Sequence, residues 1–169
     1  MAKEAPFDPY PILSALERRL VSYIVIGSFA RVVRGAEEIP DGLDFAPSDR
    51  GGNLGRVQEA LEDLEAVRTD GPTLNLEEDS PRKDEIVELT SPHGVLKLVL
   101  EPAGTRGYDD LRRAASREYL GRGLRPRIAS VGDLARMLGA LGREEDVPKL
   151  HALRRIGELE RSLGHELAL

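Results

Sequence analysis

Apolar residues in this chain follow two periods, and the changes between them mark out the elements. Pro9 and Pro11 precede Ile12, Leu13, Ala15, Leu16 and Leu20, whose spacing fits a short amphipathic helix. Residues 21–26 are a β-branched and aromatic run stopped by Gly27, the pattern of a buried strand. A short helix over 28–34 should end at Gly35, and a second strand should cover 43–46. Asn53 is placed to cap a helix carrying Leu54, Val57, Leu61 and Leu64 on one face. The acidic, turn-rich stretch 69–81 leaves room for a short edge strand at 73–76.

Further on, 86–89 and 95–100 read as two strands joined by Thr90-Ser91-Pro92-His93-Gly94. A helix over 108–117 and a strand over 125–128 follow. Ser130-Val131-Gly132-Asp133 resembles a capping box opening a helix to Leu141, where Gly142 stops it. A last helix is expected from about 146 to 163, with Leu150, Leu153, Ile156, Leu159 and Leu163 on one stripe. Strands thus mix with helices, without repeats or low-complexity linkers. The expected class is α+β with a small mixed sheet: an N-terminal helix (1–20), a core (21–129) and a C-terminal helical part (130–169) packed beside the sheet in the same domain.

Composition narrows the chemistry. The chain has 169 residues, 40% hydrophobic and 32% charged, enough to bury a core and too apolar for disorder. The absence of cysteine excludes disulfides, zinc–thiolate sites and a cysteine nucleophile. No run approaches the roughly 18 apolar residues of a membrane span, and MAKEAPFDPY has no apolar signal region, so no membrane contact and a cytoplasmic location are expected. A net charge of −6 argues against tight non-specific nucleic-acid binding. Between Arg106 and Arg127, however, seven arginines face only Asp109, Asp110 and Glu118. That segment reads either as a solvated surface or as a docking surface for RNA or a nucleotide tail.

The stretch Ile24-Val25-Ile26-Gly27-Ser28-Phe29-Ala30, then Gly42-Leu43-Asp44-Phe45, then His93-Gly94-Val95-Leu96-Lys97-Leu98-Val99 resembles the nucleotidyltransferase superfamily. Coverage runs from about Tyr23 to Leu153, and the chain resembles small bacterial members related to toxin–antitoxin and abortive-infection systems. The resemblance implies a strand running into Gly-Ser, a helix, an Asp-x-Asp pair on the next strand and a third Asp on a later one. Such carboxylates hold two magnesium ions, which need hard oxygen ligands. Alternate residues on a strand face one side, which is why the pair is spaced by two.

Here the first Asp position is Gly42 and the third is Lys97, so Asp44 alone remains as catalytic remnant and metal ligand. Asp41 is a substitute only if a bulge intervenes, since a spacing of three points to opposite faces. Gly27, Ser28, Lys97 and Arg143 are the candidate nucleotide- or phosphate-binding residues. Lys97 either pairs with Asp44 or supplies the charge a metal would have supplied. Arg143 and Asp146 fit the family pattern or a plain helix-end ion pair, while Glu38, Pro40 and Leu138 replace its accessory basic and threonine positions. His93, in a turn, either approaches a phosphate or is solvated.

The expected function is a nucleotidyltransferase-like pseudoenzyme, a binding or regulatory module with lost or reduced activity and weak nucleotide affinity. One alternative is an active transferase on an RNA, protein or small-molecule acceptor. The other is a structural partner in a toxin–antitoxin-type pair. No cofactor is expected, or Mg if active. The expected partners are a nucleoside triphosphate and either a protein partner or a second copy of the chain.

Overall fold

Seven short strands pair into one mixed sheet, and three of its central strands bring together the residues that the sequence singles out. The structure, a computed structural model, describes residues 6–168 and side chains as far as Gly164. The first five residues and the side chains of His165 and Leu167 lie outside the described residues. In chain order the elements are α1 (Pro9–Arg18), β1 (Tyr23–Ile26), α2 (Gly27–Val33), β2 (Gly42–Pro47), α3 (Asn53–Asp63), β3 (Val67–Arg68) and β4 (Val87–Ser91). Then come β5 (Gly94–Leu98), α4 (Tyr108–Arg112), β6 (Ser116–Arg117), β7 (Arg127–Ile128), α5 (Val131–Leu141), a 3-10 turn (Glu144–Asp146) and α6 (Val147–Ala168).

The strand order is β3-β4-β5-β2-β1-β7-β6. Pairs β5–β2 and β1–β7 are parallel, and the other four are antiparallel. Alternation along the central strands sorts their side chains. Leu43, Phe45, Leu89, Leu96 and Leu98 share one face and are fully buried, with Tyr23 and Phe45 meeting edge to face at 6.1 Å. Asp44, Lys97 and Glu88 lie on the other face and are half-buried. Helix α1 packs on α3 and β2, while α5 packs on α6 and α2. The C-terminal helices therefore stand beside the sheet, and the fold is mixed α and β.

Several expected boundaries shift, each for a local reason. Helix α1 already includes Pro9, because Asp8 Oδ1 accepts the Tyr10 N–H at 3.1 Å and caps it. Asn53 does not cap α3. Gly52, in the left-handed region (φ 74°), takes that position without a side-chain bond, and the Asn53 side chain turns inward. Residues 73–76 form no strand, because Gln58 takes their polar groups, donating to Leu74 O and accepting from Leu76 N–H. The short edge strand is Val67–Arg68 instead.

Helix α4 stops at Arg112 rather than near 117, because Ser116 and Arg117 are drawn into the sheet against β7. Helix α6 runs on to Ala168 and outgrows the body it packs on. Leu153 is buried on it, but Leu159 and Leu163 are 59% and 58% exposed, so the stripe is only half a core stripe. Ser130 accepts from Asp133 N–H at 3.0 Å and Gly142 turns left-handed (φ 62°), which gives α5 the cap and stop its sequence announces.

Asn53 holds the sheet's lower end. At 1% exposure its Oδ1 accepts the Ser22 N–H at 2.7 Å, and its Nδ2 donates to Ser22 O at 2.9 Å and Ser48 O at 2.7 Å. One side chain thus joins the start of β1, the end of β2 and the first turn of α3. Its replacement leaves buried backbone groups unpaired. Asn53→Ala is expected to lower stability by about 2–4 kcal/mol. In urea titration the midpoint should fall with an unchanged slope.

Candidate functional site

Strand β1 ends on Gly27, whose φ of 73° is the left-handed conformation that glycine adopts without strain. A Cβ there would collide with Asp44 Oδ2, so the turn lies directly on that carboxylate. Pairing of β1 with β2 sets Ile26 beside Asp44, and pairing of β2 with β5 sets Asp44 beside Lys97. The β4–β5 hairpin sets Lys97 beside Glu88. A row of alternating charge (Asp44, Lys97, Glu88) therefore crosses three strands on the half-buried face. Among the described residues, Lys97 has no carboxylate within the 4.0 Å that defines an ion pair, so the expected direct pairing with Asp44 does not form.

Burial dominates the electrostatics of Asp44. It pushes the carboxyl up from 3.8 to about 6, while the Lys97 charge pulls it down and Asp41 pushes it further up. Asp41 precedes β2, so strand parity does not govern it and no bulge is needed. Its exposed carboxylate accepts the Ser28 hydroxyl at 3.0 Å at the mouth of the turn. Gly42 is closed, because any Cβ there would run into Val95 O on the neighbouring strand.

The surrounding charges are already engaged. Arg31 on α2 is 7% exposed and grips Glu38 through two bonds of 2.7 and 3.0 Å. Arg143 Nε bonds Asp146 Oδ2 at 2.7 Å, and that bond holds the buried Asp146 carboxyl below its ordinary range. His93 sits in the β4–β5 turn, its N–H donating to Ser91 Oγ and its carbonyl accepting from Asp8 N–H.

Glu88 and Arg31 were not singled out by the sequence reading. Glu88 was findable: once the turn is placed at Pro92-His93, hairpin register sets it opposite Lys97. Arg31 had only the weaker signal of a charge on an otherwise apolar seven-residue helix.

This donor set does not fit a pair of magnesium ions. Magnesium wants several oxygen ligands in octahedral geometry. The site offers one half-buried carboxyl, an exposed neighbour and the Lys97 ammonium beside them. Among the described residues no group of three or more His, Asp or Glu is arranged to hold a metal ion. No helix is long and apolar enough to cross a membrane.

Solved structures share this fold along nearly their whole length. The antibiotic-resistance factor ANT(2'')-Ia in solution superimposes with a TM-score of 0.56 at 14% identity, covering 94% of this chain and 90% of that one. ANT(2'')-Ia in complex with adenylyl-2''-tobramycin gives 0.55 at 15% identity, covering 93% and 88%. A candidate nucleotidyltransferase from Thermotoga maritima gives 0.58 at 13% identity, covering 84% and 87%. The chain has the nucleotidyltransferase fold. No family model matches the sequence, and no curated protein does.

The Gly27 turn, the Asp44 strand and the Lys97 strand meet on one half-buried face of this fold. The raised Asp44 carboxyl has a measurable consequence. The folded state binds a proton more tightly than the unfolded chain between about pH 4 and 6, so stability falls as pH rises through that window. Above it the folded protein carries a buried charge at a cost of about 2–3 kcal/mol. Asp44→Asn should therefore stabilise the protein at pH 7 by up to that amount and flatten its stability between pH 4 and 6. Denaturant midpoints measured across pH check both effects.

Proposed function

We propose that this chain is a nucleotidyltransferase-fold protein with lost or strongly reduced transferase activity. It acts as a binding or regulatory module that holds a nucleotide or phosphate weakly through Gly27, Ser28 and Lys97. The observation that carries the reading is Lys97 in register beside Asp44, with no carboxylate within ion-pair distance among the described residues. An ammonium has no lone pair for a metal but attracts a phosphate. Closure of position 42 by Val95 O supports the same reading, because a ligand side chain there has no room.

Adenine nucleotides are the first ligands to test, since ANT(2'')-Ia has been solved with an adenylyl product. The regulatory setting, a toxin–antitoxin-type pair, rests on the sequence resemblance. A second reading is favoured by one contact. The Ser28 hydroxyl ties Asp41 to the mouth of the turn, where Asp41 and Asp44 together give an active transferase two carboxylates for Mg.

Thermal unfolding with each nucleoside triphosphate separates the two readings. At 100-fold excess over Kd, binding stabilises by about 2.7 kcal/mol, a shift of several degrees. The module reading expects stabilisation without magnesium that is lost in Lys97→Ala. Stabilisation that requires magnesium, with transfer of label from an α-labelled nucleotide abolished in Asp41→Asn, overturns it for the second. Gly42→Asp should lower stability by about 2 kcal/mol or more without restoring transfer, since the new side chain needs the β2–β5 pairing to open.

A further inference from the structure

The sheet edge formed by β6 and β7 carries charge opposite in sign to the chain as a whole. Pairing of Ser116 with Ile128 and Arg117 with Arg127 continues beyond the strands. Glu118 N–H donates to Pro126 O and Leu120 N–H to Leu124 O, both at 3.0 Å. This ladder sets Tyr119 opposite Arg125. Alternation then puts Arg117, Tyr119, Arg125 and Arg127 on one face of the hairpin, with Leu124 and Ile128 turned to the core. Arg117 and Arg127 stand opposite each other in a non-hydrogen-bonded pair, Arg117 Nη1 donating to Arg125 O at 2.9 Å and Arg127 Nη1 to Tyr108 Oη at 3.3 Å.

The acids of this segment are engaged elsewhere. Asp109 pairs with Arg50 at 2.9 Å, Asp110 with Arg136 at 3.1 Å and Glu118 with Arg34 at 2.7 Å. Among the described residues, none of the arginines on the hairpin has a carboxylate within 4.0 Å. Tyr119 is 67% exposed between them. At the hairpin tip Arg122 lies 4.1 Å over the Tyr10 ring. Beside the face opens a cavity of about 330 Å³ lined by Arg117, Arg127, Glu17 and Tyr23. Glu17 Oε1 and Tyr23 Oη are buried there without a hydrogen-bond partner.

We propose that this face binds single-stranded nucleic acid. Arginines spaced along an extended hairpin, with no carboxylate partner, meet successive phosphates. Tyr119 offers a stacking surface for a base, the combination by which single strands are held. The face lies beyond β1 from Asp44 and does not depend on what the Asp44 site binds.

Fluorescence anisotropy with a labelled single-stranded RNA of about 12 nucleotides tests this. Saturable binding is expected at low salt, with the logarithm of affinity falling against that of salt at a slope of roughly −2 to −3. Arg117→Gln with Arg125→Gln should weaken binding more than tenfold and reduce that slope by about 1.4. Tyr119→Ala should weaken it roughly tenfold with the slope unchanged. Arg82→Gln, near the opposite edge of the sheet, should leave affinity as it was. Absence of saturable binding overturns the proposal. So does equal affinity for polyglutamate, or a Tyr119→Ala variant that binds like the parent, since either outcome makes the face a site for any polyanion.

Discussion

The approach of Gly27 to Asp44 is the contact on which this architecture turns. The first helix after β1 can start where it does only because residue 27 has no Cβ and tolerates a positive φ. With the turn seated on the carboxylate, α2 packs down on β2, and Asp44 loses much of its water. Burial then outweighs the neighbouring Lys97 charge, and the carboxyl rises to about 6 rather than falling. A Lys97 paired directly with Asp44 would have reversed that order. The raised value and the missing ion pair are thus two views of one geometry.

The same geometry bears on what the site can do. In metal-assisted transfer the ions neutralise the triphosphate and also polarise the reacting phosphorus through direct coordination. A lysine supplies the first effect in part and the second not at all, because a single ammonium donates hydrogen bonds but accepts no ligand. Arg31 does not make up the difference, since Glu38 already takes two of its donors. Arg143 is likewise spent on Asp146. The charges of Arg31 and Arg143 are therefore largely neutralised within the protein.

How much of this was legible in the sequence depended on the range of the interaction. Strands β1 and β2, the Gly27 turn, and the cap and stop of α5 rest on contacts within a few residues, and the periodic pattern carries them. Asn53 was misread because an asparagine at a helix start is ordinarily a cap, whereas here the partners are Ser22 and Ser48. The extra turn expected of α4 was lost to sheet pairing with β7, a tertiary demand that overrides local preference. At the site, strand parity does not reach Asp41, because β2 begins only at Gly42. Glu88 was missed for the complementary reason: its role exists only through hairpin register.

Net charge is a sum over surfaces that never meet. Between Glu59 and Glu85 the chain has ten acids and three bases, and between Arg106 and Arg127 it has three acids and seven bases. The first group surrounds the β3 edge and the second includes the β6–β7 edge, at opposite ends of the sheet. At physiological ionic strength, screening acts over about 8 Å, so charges at one edge barely register at the other. What an anion meets is set locally by which arginines keep a carboxylate in contact. By that measure the β6–β7 hairpin is cationic although the whole chain carries −6.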